Sequence, residues 1–281
     1  MMGVSVICVS YYSRHLLENI IRNIHENVHD EIEMIVINNS PEENLDSLTS
    51  KKIIIITPKK NLGYGGGINL GIKNAKYKNI VILNPDIEVF DFSFNFSKQK
   101  KYFIAGGYRP DKPFGFKFPS VYADTIGFLF IFLRKYTRRR MNCPAEMITK
   151  VDWISGSLIA TNKETIKKLN GFDETFFLFY EEVDFCKRAH KLDIPVFITP
   201  DIVYEASSAK EKASSIDVTW LKINSEINSF KTYHSQHSFG LGLHVSFIKS
   251  VSCLIVFLLN FYPKSKRLAN ALKYYKVLRQ I

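Results

Sequence analysis

The stretch NIVILNPD, residues 79–86, is an apolar run of strand length that stops at Asn84, Pro85 and Asp86, residue types that form turns. The same pattern recurs upstream. Val4 to Val9 reads as a buried strand, and the spacing of Leu16, Leu17, Ile20, Ile21 and Ile24 after it fits the inward face of a helix. Ile32 to Ile37 predicts a second strand, the isoleucines Ile53 to Ile56 a third, and Asn79 to Leu83 the fourth. Between the last two, a glycine-rich turn from Asn61 to Gly67 leads into a helix through about Lys76. Short runs this apolar, alternating with helices, predict an α/β fold whose mostly parallel sheet is covered on both faces.

Downstream, Phe90 to Lys150 is rich in aromatic and basic residues and gives no period. Order returns with Val151. Trp153, Gly156 and Leu158 to Ala160 read as a strand entering a site, and Thr161 or Asn162 is placed to cap a short helix through Leu169. Gly171 to Arg188 is the densest polar cluster, and Pro195 to Ile198 predicts a strand leading to Tyr204 and Glu205.

The chain has 281 residues, is 46% hydrophobic and carries a formal charge of +11. Such a chain can bury a substantial core, and its cationic surface attracts phosphorylated ligands or anionic lipid. No zinc-finger spacing and no aromatic RNA-binding signature is present, which argues against nucleic acid as the partner. Cys8, Cys143, Cys186 and Cys253 show no metal-ligand or redox spacing. They are expected to be reduced, buried thiols of a cytoplasmic protein. The first residues lack the basic start and longer apolar run of a secretory signal, so none is expected.

In parallel sheets ligands bind beyond the carboxyl ends of the strands. Here those positions are polar: Ser10 and Tyr11, then Asn38, Asn39 and Ser40, then Asn61 with its glycines, then Asp86. Asp86 either holds a divalent ion against a diphosphate or is part of a turn; Glu88 is a second ligand or faces solvent. The glycines offer close backbone approach and free N–H groups near phosphate, or form a loop without a ligand. They do not form the fingerprint of a dinucleotide-binding dehydrogenase. Glu181, Glu182 and Asp184 fall at a helix start, which favours acids whatever their task. Asp184 has the spacing to pair with Arg188, which leaves Glu181 or Glu182 for a general base.

Together the segments VSVICVSYYS, INNS, NLGYGGGINLGI, LNPDI, VDWISGSLIA and GFDETFFLFYEEVDFCKRAHKLDI resemble the family 2 inverting glycosyltransferases of GT-A fold, in their bacterial rhamnosyltransferase-like branch. The resemblance runs from Val4 to about Gly240. It implies a GT-A, Rossmann-like domain over residues 1–240, followed by a basic and apolar helical segment over 241–281. It also implies that Asp86 is the surviving acid of a metal-binding DxD motif, with Asn84 in place of the first acid, and that Glu182 is the catalytic base. Val9, Tyr11 and Asn39 map to the nucleoside pocket, and Asn61 and Gly63 lie near the nucleotide. Trp153 and Gly156 resemble the floor of the acceptor and donor-sugar site, with Glu181 beside them. Glu205 stands where many relatives have a histidine metal ligand, so Mg2+ or Mn2+ held by Asp86 and Glu205 is the expected cofactor. Lys231, Tyr233 and His237 are matched to a basic, aromatic stretch near a diphosphate or a lipid phosphate.

Val245 to Tyr262 is strongly apolar but interrupted by Lys249 and serines, short of the about twenty residues of a spanning helix. It is expected to lie on the inner face of the cell membrane, its basic neighbours meeting anionic headgroups, or to pack as a helical hairpin. The resulting expectation is an inverting transfer of a sugar, by resemblance L-rhamnose, from a dTDP- or UDP-sugar to a lipid-linked surface glycan of O-antigen or capsule type. A nucleotidyltransferase and a degenerate sugar-nucleotide-binding scaffold are the alternatives.

Overall fold

The apolar runs become the strands they predict in a computed structural model that describes residues 3–28, 31–129, 139–207, 216–238, 240–259 and 275. Strands β1 (Val4–Ser10), β2 (Ile32–Asn38), β3 (Ile53–Ile56) and β4 (Asn79–Leu83) are parallel, with β1 between β2 and β4 and β3 outside β2. The sheet continues through β5 (Ile87–Phe92), β6 (Ile104–Tyr108), β10 (Leu158–Asn162) and β11 (Val196–Ala206) in the order β3-β2-β1-β4-β10-β6-β11-β5. β10 runs antiparallel to both neighbours, and β9 (Thr149–Lys150) adds to β11. A separate ribbon pairs β7 (Phe114–Phe116) with β8 (Arg140–Asn142).

Central strands such as β1 and β4 are buried on both faces, which is why they read as continuous apolar runs. Alternation divides β1 between the two faces. Val4, Val6 and Cys8 pack with Leu17, Ile20 and Ile24 of α1 (Arg14–Asn27), while Ile7 and Val9 join Ile68 of α2 (Gly63–Asn74) on the opposite face. Phe185, Cys186 and Ala189 of α5 (Glu181–His190) extend the second face, as does Ile166 of α4 (Lys163–Lys168). α4 is capped by Asn162, whose side chain accepts from the Thr165 N–H, one of the two cap positions expected. At the β5 edge, Asn23 of α1 donates to the Val89 carbonyl at 2.9 Å and accepts from the Val89 N–H at 2.8 Å. The amide thereby occupies backbone groups that an edge strand would otherwise expose.

Contacts group the chain into two compact units. The first comprises Met1–Phe118, Arg140–Phe177 and Glu181–Lys212, and contains the sheet. The second comprises Pro119–Arg139, Leu178–Tyr180 and Ala213–Ile281. Within the second unit, α3 (Val121–Leu129), α6 (Ile216–His237) and α7 (Leu241–Leu259) share a core of Val121, Leu129, Ile227, Phe230 and Ile248. α3 comes from the stretch whose sequence gave no period. No helix among the described residues is long and apolar enough to cross a membrane.

Four sequence expectations are corrected. The glycine-rich segment is not a turn before a helix, since α2 begins at Gly63 and takes Gly65, Gly66 and Gly67 into its first turns, ending at Asn74. Gly67 and Gly71 lie where the helix packs on β1: a Cβ on Gly67 would stand 2.9 Å from Val9 Cγ1, and one on Gly71 2.5 Å from Ile7 Cγ2. Trp153 and Gly156 precede the strand instead of belonging to it, because β10 starts only at Leu158. Tyr204 and Glu205 lie inside a strand running from Val196 to Ala206, not beyond one that ends at Ile198. Cys253 is exposed, whereas the other three cysteines are buried.

The α2–β1 contact predicts a measurable asymmetry among glycines. Gly71→Ala must displace Ile7 in a filled core and is expected to cost about 1–3 kcal/mol in urea unfolding. Gly242→Ala in α7, where a Cβ meets nothing within 4 Å, is expected to be neutral or stabilising.

Candidate active site

The polar residues after β1, β2 and β4 are brought side by side because these strands are parallel and in register, with Ser10 opposite Asn38 and Cys8 opposite Leu83. Asn39, just past β2, is buried and organises the next loop. Its amide donates to the Gly63 carbonyl at 2.8 Å and accepts from the Leu62 N–H at 3.3 Å. Asn61 accepts from the Gly63 N–H at 2.8 Å. Gly63 itself has φ of +75°, and a Cβ there would lie 2.3 Å from the Phe177 carbonyl oxygen, so both conformation and space require glycine. Val9 supports this corner from below through its contact with Gly67. Tyr11 lies half-buried beside Tyr12, their rings edge to face with centroids 4.8 Å apart.

The fixed start of α2 aims Tyr64 across the site. Its N–H donates to the Phe177 carbonyl at 2.9 Å, and its hydroxyl donates to the Gly156 carbonyl at 2.8 Å. Gly156 closes the circle: a Cβ on it would lie 3.5 Å from the Tyr64 ring, 3.7 Å from Glu182 Cβ and 3.8 Å from Glu182 Cδ. Glu182 and Tyr64 thus flank the same glycine. Burial pushes the Tyr64 phenol well above its ordinary pKa, helped by the negative charges of Glu181, Glu182 and Asp86. Asp86 itself lies in the turn after β4.

Glu181 and Glu182 open α5, where the N-terminal dipole favours acids. Their environments differ. Glu181 is 4% exposed, and its Oε2 makes no hydrogen bond among the described residues. Burial first, and Glu182 second, hold its carboxyl well above the ordinary carboxylate range, so it keeps its proton where other acids have lost theirs. Glu182 is half-buried and faces Gly156. Asp184 is buried and receives the Arg188 Nε at 2.8 Å, and Arg188 also donates to the Leu169 and Gly171 carbonyls. The third acid of the cluster is therefore a brace tying α5 to the end of α4.

Trp153 stacks on Phe116 with centroids 4.2 Å apart and donates its indole N–H to the Lys117 carbonyl at 3.0 Å. Glu205 pairs in register with Glu88 across β11 and β5, while the Ser207 N–H donates to the Asp86 carbonyl at 2.8 Å. Like charges directly opposite on a sheet repel, a cost that a cation beside them would relieve. Among the described residues, no group of three or more His, Cys, Asp or Glu is arranged to hold a metal ion. Carboxylate oxygens at Asp86 and Glu205 nevertheless suit a hard cation of the kind that takes one or two protein carboxylates and completes its shell with substrate phosphate and water.

Lys231 lies half-buried on α6, in the second unit. Tyr233 on the same helix is 1% exposed and packed against Tyr180 and His237, so its ring fills a core there. Sequence reasoning missed Tyr64, whose signal is a lone aromatic among glycines. It also missed a buried network in the second unit, where His234 sits between Asp124 Oδ2 at 2.8 Å and Ser238 Oγ at 2.6 Å. The Tyr180 hydroxyl donates to the same Asp124 oxygen at 2.7 Å.

Comparisons with known proteins bear on the family and the fold. Residues 5–94 match the model of Glycosyl transferase family 2. The low-salt glycan biosynthesis hexosyltransferase Agl10 of Haloferax volcanii is 26% identical over 212 residues, covering 69% of this chain and 63% of its own length. The chain thus spans less than two thirds of that relative. The crystal structure of GalNAc-T7 with UDP, GalNAc and Mn2+ superposes with a TM-score of 0.58 at 10% identity, covering 99% of this chain and 54% of that one. The mannosyltransferase PcManGT from Pyrobaculum calidifontis, in complex with GDP-Man and Mn2+, gives 0.51 at 12% identity, covering 98% and 84%. The fold is GT-A, a mixed α/β arrangement around a mostly parallel sheet.

The buried state of Glu181 has a consequence for pH. Its pKa is raised on folding, so as pH climbs from about 4.3 the unfolded chain gives up this proton before the folded one does. Stability from this group is thus lost between the ordinary carboxylate range and the raised value. Glu181→Gln removes the loss, and the variant is expected to gain on the parent as pH rises in paired urea titrations.

Proposed function

We propose that this chain, which carries a glycosyltransferase family 2 domain over residues 5–94, is an inverting glycosyltransferase using a nucleoside diphosphate sugar. The observation that carries the reading is the meeting of Glu182, Gly156 and Tyr64, with Asp86 in the turn that follows β4. The nucleoside belongs over Val9, Tyr11 and Asn39, and its diphosphate near Asn61, Gly63 and Asp86. The donor sugar belongs beside Glu182 and Gly156, and Trp153 borders the acceptor side.

In the reaction, the Glu182 carboxylate takes the proton of an acceptor hydroxyl as its oxygen attacks the anomeric carbon from the face opposite the leaving group. The bond from that carbon to the diphosphate oxygen breaks, the nucleoside diphosphate leaves with the bonding pair, and the anomeric configuration inverts. Burial raises the Glu181 carboxyl above the ordinary range and keeps it from solvent, which favours its neighbour Glu182 as the base. Asp86, with Glu205 as second carboxylate, is the residue to hold Mg2+ or Mn2+, which when bound offsets the charge of the diphosphate. Arg188 and Asp184 keep the start of α5 in place.

For the donor we propose dTDP-L-rhamnose, a reading supported by the sequence resemblance of the six segments taken together. For the acceptor we propose a lipid-linked glycan of O-antigen or capsule type at the inner face of the cell membrane. The glycan-biosynthesis role named for the Haloferax relative supports that class. A second reading, a chain that binds sugar nucleotides without turning them over, is favoured by Asn84, an amide where a first metal-binding acid is expected.

Calorimetry with dTDP, UDP, GDP and CMP, each with and without Mn2+, is expected to show metal-dependent binding of one diphosphate, lost in Asp86→Ala. Glu182→Gln is expected to keep that binding while transfer falls about 10²–10⁴-fold. Full transfer by a folded Glu182→Gln would remove the proposed base. Nucleotide binding without transfer to any lipid-linked acceptor would support the second reading.

A further inference from the structure

α7 packs one side into the core of the second unit and leaves the other in solvent. Ile248 and Ser252 are fully buried, with Leu241, Val245 and Val251 packed beside them. On the opposite side Leu243, Phe247 and Leu254 are 79%, 56% and 57% exposed. Their spacing of four and then seven residues keeps them on one helical face. α3 widens this face: His244 accepts the Tyr122 ring edge-on at 4.6 Å and bonds Thr125 Oγ1 at 3.1 Å. Tyr122 is 71% exposed, and Ile126, one turn on, 44%. Two packed helices thus present large apolar side chains outward.

Charge along the C-terminal sequence is of one sign, and Asp124 of α3 is held by His234 and Tyr180. No acidic residue follows Glu226 in the sequence, whereas Lys231, Lys249, Lys264, Lys266, Arg267, Lys273, Lys276 and Arg279 do. Lys249 is exposed on α7 itself. An exposed apolar stripe that carries Lys249, in a stretch of sequence with eight Lys and Arg and no acid after Glu226, fits an anionic lipid surface, where side chains enter the acyl boundary and lysines meet headgroups. α7 lacks the length and apolarity to span, so the fit is to lying in the interface plane.

We infer that the paired outer faces of α3 and α7, carrying Tyr122, Ile126, Leu243, Phe247 and Leu254, form a docking surface for an anionic bilayer. This names the surface behind the membrane placement proposed above and rests on that placement. Its occupant is lipid, and a second copy of the chain is the competing outcome.

Flotation of the full-length chain with phosphatidylcholine vesicles, with and without phosphatidylglycerol, tests it. Binding is expected to require the anionic lipid and to weaken with salt. Phe247→Glu combined with Leu243→Glu is expected to lower the bound fraction about tenfold, with thermal melting and nucleotide binding unchanged because both positions are exposed. In a Phe247→Trp variant, emission is expected to shift to the blue on adding anionic vesicles. Failure of the parent chain to float, undiminished binding by the double variant, or no emission shift would each overturn the inference. So would a concentration-dependent dimer that the double variant dissociates, which would assign the face to a second copy. Calorimetric nucleotide binding on the same preparations tests the glycosyltransferase reading separately, since vesicle binding requires no turnover.

Discussion

The distance between α2 and β1 is the constraint from which the site follows. Side chains at Gly67 and Gly71 would strike Val9 and Ile7, so only a helix face without side chains can lie this close to the first strand. Close packing places the helix start over the carboxyl ends of β1 and β2, where Asn39 can hold the Leu62 and Gly63 backbone from below. It also brings Tyr64 within reach of the Gly156 carbonyl, which joins the N-terminal half of the sheet to the loop before β10. A glycine-rich helix is weak by propensity. It is maintained here by burial against the sheet and by hydrogen bonds at its first turn.

The acid pair shows how burial divides labour between identical side chains. Glu181 and Glu182 are adjacent, share a helix dipole and have the same intrinsic acidity, yet one is sealed in the interior and the other faces a glycine. Desolvation raises the first, and the charge of the second raises it further. Asp184 is paired with Arg188 instead. Three acids within one turn therefore have three different surroundings.

The second unit is held together by a different device. Phe179 and Tyr180 both have positive φ, at 70° and 67°, an uncommon conformation for bulky residues. Tyr180 is anchored by its hydroxyl to Asp124, Leu178 by its carbonyl to the Ser229 hydroxyl, and Asp124 in turn by fully buried His234. Polar bonds satisfied at both ends compensate for backbone strain and make a short segment as definite as a packed one.

The sequence by itself determined the parallel strands, the first helix, a cap at Thr161 or Asn162 and the Asp184–Arg188 pair, because each rests on spacing within a few residues. Continuous apolar runs signal strands buried on both faces, and an i,i+4 charge pair needs only a helix. Tertiary structure alone decided that Gly65–Gly67 are helical, since glycine leaves no apolar period to read and its reason lies in the strand beneath. It decided that Trp153 stands outside β10, that Glu205 lies within β11 against Glu88, and that α3, from a stretch with no period, packs with α6 and α7. It decided which glutamate is sealed and where Tyr64 points. Exposure and electrostatic neighbours are properties of the assembled chain, contributed by residues up to about a hundred positions away.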